Sequence, residues 1–157
     1  MKTLILYYTR TNVTKYVAET LKTAIGSDVD IEQVIDKNPR KGALGYISAG
    51  RDAMRKKPAD IEPIKSNLED YDRIFIGQPV WGWTMTPAIR GLFEKYSIKN
   101  KNVVLFCTMD GSGDTGCFKE TRNYLLSCKI IGELSLIKAM KDKEKTQTQI
   151  TEFVSNL

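Results

Sequence analysis

Thr3-Leu4-Ile5-Leu6-Tyr7-Tyr8-Thr9-Arg10-Thr11-Asn12-Val13-Thr14 passes from an apolar run straight into a hydroxyl-rich turn, with no linker between them. The run reads as a buried strand. Beyond the turn, from Asn12 to Ile25, the residues Val17, Leu21 and Ala24 recur at helical spacing, and Gly26 closes the segment. The unit is therefore strand, loop, helix, and it is repeated along the chain. A second strand is expected over Val29–Ile35, interrupted by Lys37-Asn38-Pro39, with a helical stretch over Ala43–Met54 that Gly45 and Gly50 weaken. Strands at Arg73–Gly77, Val103–Cys107 and Glu133–Ile137 alternate with helices at Pro87–Tyr96, Phe118–Cys128 and Lys143–Val154. Five strands alternating with helices imply right-handed crossovers and a parallel sheet covered on both faces, one doubly wound α/β domain over residues 1–157. In such a fold ligands bind at the carboxyl ends of the strands.

The composition bounds the chemistry. The 157 residues, 41% hydrophobic and 27% charged, suffice for one buried core. The longest apolar runs fall far short of the roughly 20 residues needed to cross a bilayer, and the amino terminus has no secretory pattern, so a cytoplasmic location is expected. Cys107, Cys117 and Cys128 are odd in number and lack CxxC spacing, and the chain contains no histidine. A disulfide framework, a zinc site and Cys-His or Ser-His catalysis are all disfavoured. Redox or transfer chemistry would then have to come from a bound cofactor.

Three loops at strand ends carry unusual residues. After the first strand, Thr9-Arg10-Thr11-Asn12-Val13-Thr14 runs into a helix whose first-turn N–H groups lack intrahelical partners; with the threonine hydroxyls they form a phosphate site without lysine. A simple threonine helix cap gives the same pattern. After the third strand, Gly77-Gln78-Pro79-Val80-Trp81-Gly82-Trp83-Thr84-Met85-Thr86-Pro87 holds both tryptophans of the chain, suited to stacking on a flat aromatic ligand or to folding back on the next helix. After the fourth strand, Thr108-Met109-Asp110-Gly111-Ser112-Gly113 continues to Gly116 and completes GxGxxG. A dinucleotide fingerprint belongs after the first strand, so a flexible loop whose amides approach a ring's polar edge is the better account.

In these three loops the chain resembles the flavodoxin family, in particular its short members from anaerobic bacteria and archaea. Tyr7 to Thr14 is similar to the family's (S/T)-x-T-G-N-T phosphate loop, Gly77-Gln78-Pro79-Val80-Trp81 to its G-(S/T)-P-V-W loop, and Thr108 to Gly113 to its glycine-bearing third loop. The resemblance spans nearly the whole chain. It implies a three-layer fold with sheet order 2-1-3-4-5 and FMN as cofactor. Its phosphate is expected on Thr9, Thr11 and Thr14, with Arg10, Asn12 and Val13 completing the cofactor-binding loop. The isoalloxazine is expected between Pro79, Val80, Trp81, Gly82, Trp83 and Thr84 on one side and Thr108, Met109, Asp110, Gly111, Ser112 and Gly113 on the other. Asn12-Val13 stands where the family pattern has Gly-Asn, which implies weaker FMN binding; asparagine is nonetheless among the residues that best tolerate a left-handed backbone. Other owners of this fold are set aside: Tyr8-Thr9-Arg10 offers no receiver-domain carboxylates, and neither Cys107 nor Cys117 begins a Cys-x5-Arg phosphatase loop.

Between Asp36 and Lys57 the basic residues Lys37, Arg40, Lys41, Arg51, Arg55, Lys56 and Lys57 face only Asp36 and Asp52. Such a run reads either as a solvated face or as a docking site for an acidic redox partner or an anionic small-molecule acceptor. No nucleic-acid motif accompanies it. The expected function is electron transfer through bound flavin, with an NAD(P)H-dependent FMN oxidoreductase acting on a quinone or similar molecule as the alternative.

Overall fold

The computed structural model describes residues 1–38 and 42–157, with the side chains of 42–44, 46 and 49 left out. Pro39, Arg40 and Lys41 of the basic run lie outside the described residues. The elements run β1 (Thr3–Tyr7), α1 (Val13–Ile25), β2 (Val29–Gln33), α2 (Gly42–Met54), β3 (Arg73–Pro79), α3 (Pro87–Lys95), β4 (Asn102–Met109), α4 (Asp114–Asn123), β5 (Lys129–Ile137) and α5 (Lys143–Ser155). The strands form one parallel sheet in the order β2-β1-β3-β4-β5, as expected.

Alternation along the central strands divides the core in two. Leu4, Leu6, Ile74, Ile76, Val103 and Leu105 face one side, where they meet Ile89 and Leu92 of α3 and Phe118 of α4. Ile5, Tyr7, Phe75, Val104 and Phe106 face the other, against Val17, Ala18 and Leu21 of α1 and Ile150 of α5. This is the period-2 geometry of a strand buried on both faces. Gly77 in β3 is required by close packing, since a Cβ there would lie 1.9 Å from Cζ of Phe106.

Two elements, α4 and β5, depart most from the sequence expectation. Helix α4 begins at Asp114, four residues before Phe118, because Gly113 turns the chain with φ 117° and Asp114 places a carboxylate in the helix's first turn. It ends at Asn123, so Leu125 and Cys128 reach the core from a turn rather than from the helix. Strand β5 starts at Lys129, with a register shift opposite Val103 and Val104 that the polar-apolar pattern of an edge strand does not reveal.

Candidate functional site: a cleft between three loops

Parallel pairing of β1, β3 and β4 brings the three loops to one edge of the sheet. The backbone ties them together there. Tyr8 N–H donates to the Gly77 carbonyl at 2.9 Å, and Val80 N–H donates to the Thr108 carbonyl at 2.9 Å. The hydroxyls of Thr14 and Thr108 lie 2.8 Å apart and bridge the first loop to the third.

Between the loops lies a cleft of about 150 Å³. Its walls are Thr9, Arg10, Thr11, Val13 and Thr14 from the first loop, Pro79, Val80 and Trp81 from the second, and Thr108, Met109 and Asp110 from the third. Asn12, Gly82, Trp83, Thr84, Gly111, Ser112 and Gly113 do not line it. Larger grooves of about 450 to 550 Å³ lie between α1 and α5, at the amino-terminal edge of the sheet and beside β2, and none of them includes residues of the three loops.

Asn12 is the amino-terminal cap of α1 and takes φ 64°, ψ 3°. The left-handed geometry expected at this position is thus present without glycine. Its side chain makes no capping hydrogen bond, and the opening N–H groups of the helix point out at the positive end of the dipole. Close by, Thr9 is buried and its Oγ1 has no hydrogen-bond partner. Leaving a buried hydroxyl unpartnered costs about 1–3 kcal/mol, so the site is built for an acceptor or donor that the protein itself does not supply.

The second loop is a two-residue hairpin. Trp81 and Thr84 exchange backbone hydrogen bonds of 3.3 and 3.2 Å, and Gly82 and Trp83 take φ 56° and 59°. Positive φ at both central residues is the type I′ pattern, for which Asn-Gly is the favoured pair. A tryptophan in the left-handed region costs about 1–2 kcal/mol. Neighbouring groups hold it there. The Thr84 hydroxyl is bonded to Glu120 and accepts from Arg90 Nη2 at 3.2 Å. Gly113 and Gly116 give the hairpin room: a Cβ on Gly116 would meet the Trp83 carbonyl oxygen at 2.2 Å, and one on Gly113 the Trp83 Cα at 3.0 Å. Two glycines of the apparent GxGxxG therefore seat the hairpin rather than a pyrophosphate.

The hairpin separates the two tryptophans. Trp81 turns inward, edge-on to Tyr8 with ring centroids 5.5 Å apart, and walls the cleft. Trp83 stands outside it with 68% of its surface exposed.

Gln78, Arg90 and Glu120 support this arrangement, and sequence reasoning did not single them out. The Gln78 Oε1 accepts from Thr86 N–H at 2.7 Å and from the Thr86 hydroxyl at 3.0 Å, while its Nε2 donates to Thr121 at 3.1 Å. It thereby fastens β3 to the start of α3 and to α4. The Arg90–Glu120 pair is bidentate and nearly dry. Beneath it the Cys117 thiol is pushed up to about 12, by burial first and then by the Glu120 carboxylate. Burial raises the Cys107 thiol as well. Among the described residues no group of three or more His, Cys, Asp or Glu is placed to hold a metal ion.

Residues 2–157 match the sequence profile of the family described as flavodoxin. The chain belongs to the flavodoxin family. No protein of curated function matches this flavodoxin's sequence. Among solved structures it is similar to a flavoprotein from Lactobacillus acidophilus in complex with FMN, at TM-score 0.74 and 23% identity over 92% of this chain and 98% of that one. The apo-form of the flavoprotein from the same organism gives 0.67 and 24% over 89% and 95%. Oxidised flavodoxin 2 from Bacillus cereus gives 0.62 and 17% over 99% and 97%. At these identities the likeness is one of fold, and it covers this flavodoxin from end to end. No helix among the described residues is long and apolar enough to cross a membrane.

Proposed function

We propose that this flavodoxin binds FMN in the three-loop cleft and acts as an electron carrier in the cytoplasm. The observation that carries the reading is the unpartnered, buried Thr9 Oγ1 beside the open amino end of α1, at the foot of a cleft walled by Trp81. An oxyanion of a phosphate ester would satisfy both the hydroxyl and the helix end. FMN is the group complexed by the similar Lactobacillus acidophilus flavoprotein.

When bound, FMN supplies reversible transfer of one or two electrons. The chain's own residues bind, orient and shield it. Thr9, Thr11, Thr14 and the first-turn N–H groups of α1 hold the phosphate, and Pro79, Val80 and Trp81 face Thr108, Met109 and Asp110 across the slot for the ring. The cleft is open to solvent, so a tricycle can lie partly outside its walls. A carrier is favoured over an NAD(P)H-dependent reductase because the chain has no histidine and Asp110, the one carboxyl lining the cleft, is exposed. Nothing there is built to manage a substrate's proton.

Titration with FMN tests the reading. Protein purified without added flavin should bind one FMN, with absorbance bands near about 375 and 450 nm, and riboflavin should bind at least tenfold more weakly for want of the phosphate. Equal affinity for the two flavins, or no association with either, overturns it. NADPH alone should leave the bound flavin oxidised; rapid bleaching would assign the protein to the reductases.

A further inference from the structure

Trp83 is the one tryptophan that the cleft leaves unused. It occupies a backbone region unfavourable to a bulky side chain, it is held there by Thr84 and two glycines, and it is presented to solvent. Strain kept at a loop tip to display an aromatic ring points to a binding role. Its surroundings are apolar. Gly82, next in the hairpin, lies so close to α2 that a Cβ on it would meet Met54 Cγ at 2.8 Å. Met54 is 66% exposed, as is Ile47 two helical turns earlier on the same face of α2. Ile47, Met54 and Trp83 thus make an exposed apolar ridge running from α2 to the rim of the cleft.

The α2 end of the ridge is bordered by cations, while Asp114 follows Gly113 beside Trp83. Arg51 lies between Ile47 and Met54 at helical spacing, and Arg55, Lys56 and Lys57 follow at the end of α2, all exposed. Asp52 is the one acidic residue between Ile47 and Lys57. An apolar centre with a charged border is the anatomy of a protein interface. Like charges oppose a second copy of this chain on the same face, since each would bring the four cations.

We infer that the Ile47–Met54–Trp83 ridge, bordered by Arg51, Arg55, Lys56 and Lys57, docks an acidic electron-transfer protein at the edge of the cleft. The cations steer the partner and Trp83 anchors it. That the partner is a redox protein rests on the flavin reading; the existence of the face does not.

Binding of an acidic [2Fe–2S] ferredoxin to the full chain, followed calorimetrically with and without FMN, tests the inference. The wild-type protein should bind at about 20 mM NaCl and lose at least tenfold in affinity by about 0.3 M, where the screening length is under 10 Å. Arg55→Glu/Lys56→Glu/Lys57→Glu should lose at least tenfold at low salt. Trp83→Ser should lose about tenfold at either salt concentration while its FMN affinity, thermal midpoint and circular dichroism stay as in wild type. Unchanged ferredoxin binding in either variant overturns the docking face. So does a tenfold loss of FMN affinity in Trp83→Ser, which would return that ring to the cleft. Sedimentation showing a wild-type dimer that Trp83→Ser dissolves would give the ridge to a second copy and equally overturn it. A protein that binds ferredoxin in this pattern but never FMN upholds the face and sinks only the flavin reading.

Discussion

Arg90 of α3 and Glu120 of α4 form a two-bond ion pair, 2.9 and 3.0 Å, with side chains 1% and 11% exposed, directly against the Thr84 end of the tryptophan hairpin. The pair joins two helices that do not otherwise share a loop, and the hairpin rests on it. Burying two charges is offset only while both are present. Arg90→Met or Glu120→Leu should each lower stability by about 3–5 kcal/mol, measured by urea unfolding, whereas Arg90→Met/Glu120→Leu should recover most of the loss. Additive losses in the double variant would show that the two residues act separately.

Thr9 gives a prediction of opposite character. Its unpartnered hydroxyl contributes nothing to folding, so Thr9→Val should be neutral or stabilising by up to about 1–3 kcal/mol in thermal unfolding. The same change should weaken FMN binding by roughly tenfold, the worth of one hydrogen bond to a charged group. Loss of stability without loss of FMN affinity would mean that the hydroxyl serves the fold.

Gly116→Ala places a methyl carbon 2.2 Å from the Trp83 carbonyl oxygen, and the obstacle is backbone, which cannot rotate away. The hairpin must lift or α4 must shift, at a cost of about 1–3 kcal/mol. Tryptophan fluorescence should change with it, because both indoles sit on the displaced hairpin. Gly111→Ala, which meets nothing within 4 Å, is the matched control and should leave both stability and emission in place.

The buried thiols predict an alkaline weakening. Cys117 has an ordinary value of 9.0 and is held at about 12 in the folded protein, chiefly by burial, and Cys107 is raised in the same direction. The unfolded chain therefore loses these protons first. Stability is fully present below pH 9 and falls as pH rises from there toward about 12, by about 1.4 kcal/mol per pH unit for each thiol. Urea unfolding at pH 8 and 10.5 should show the fall, and Cys107→Ala/Cys117→Ala should flatten it. At pH 8 a thiol reagent should label half-buried Cys128 in the native protein and all three cysteines in urea.

The parallel sheet was legible because each central strand is a continuous apolar run bounded by a turn and helices alternate with the strands, whereas its order followed only from the resemblance of the three loops to the flavodoxin family. The cleft was legible because Thr9 to Thr14 and Pro79 to Trp81 follow strands that the resemblance implies are neighbours, as they are. Arg90 was not: a cation within an apolar-periodic helix reads as the solvent side, and only Glu120, thirty residues later, makes its burial tolerable. The different fates of Trp81 and Trp83 were equally hidden. They depend on positive φ at Gly82 and Trp83, which local sequence preference would assign to Asn-Gly. The start of α4 was misplaced for a related reason, since Gly113 and Gly116 look like loop residues until the hairpin above them is known.

The shared hydrogen between Thr14 and Thr108 has a polarity that the protein alone leaves open, since either oxygen can be the donor at 2.8 Å. An oxyanion at the mouth of α1 would settle it. Thr14 would then donate its proton to that group, and its oxygen would be left to accept the one from Thr108. A phosphate there would thus fix the direction of a hydroxyl on β4, in the strand that leads to Met109 and Asp110.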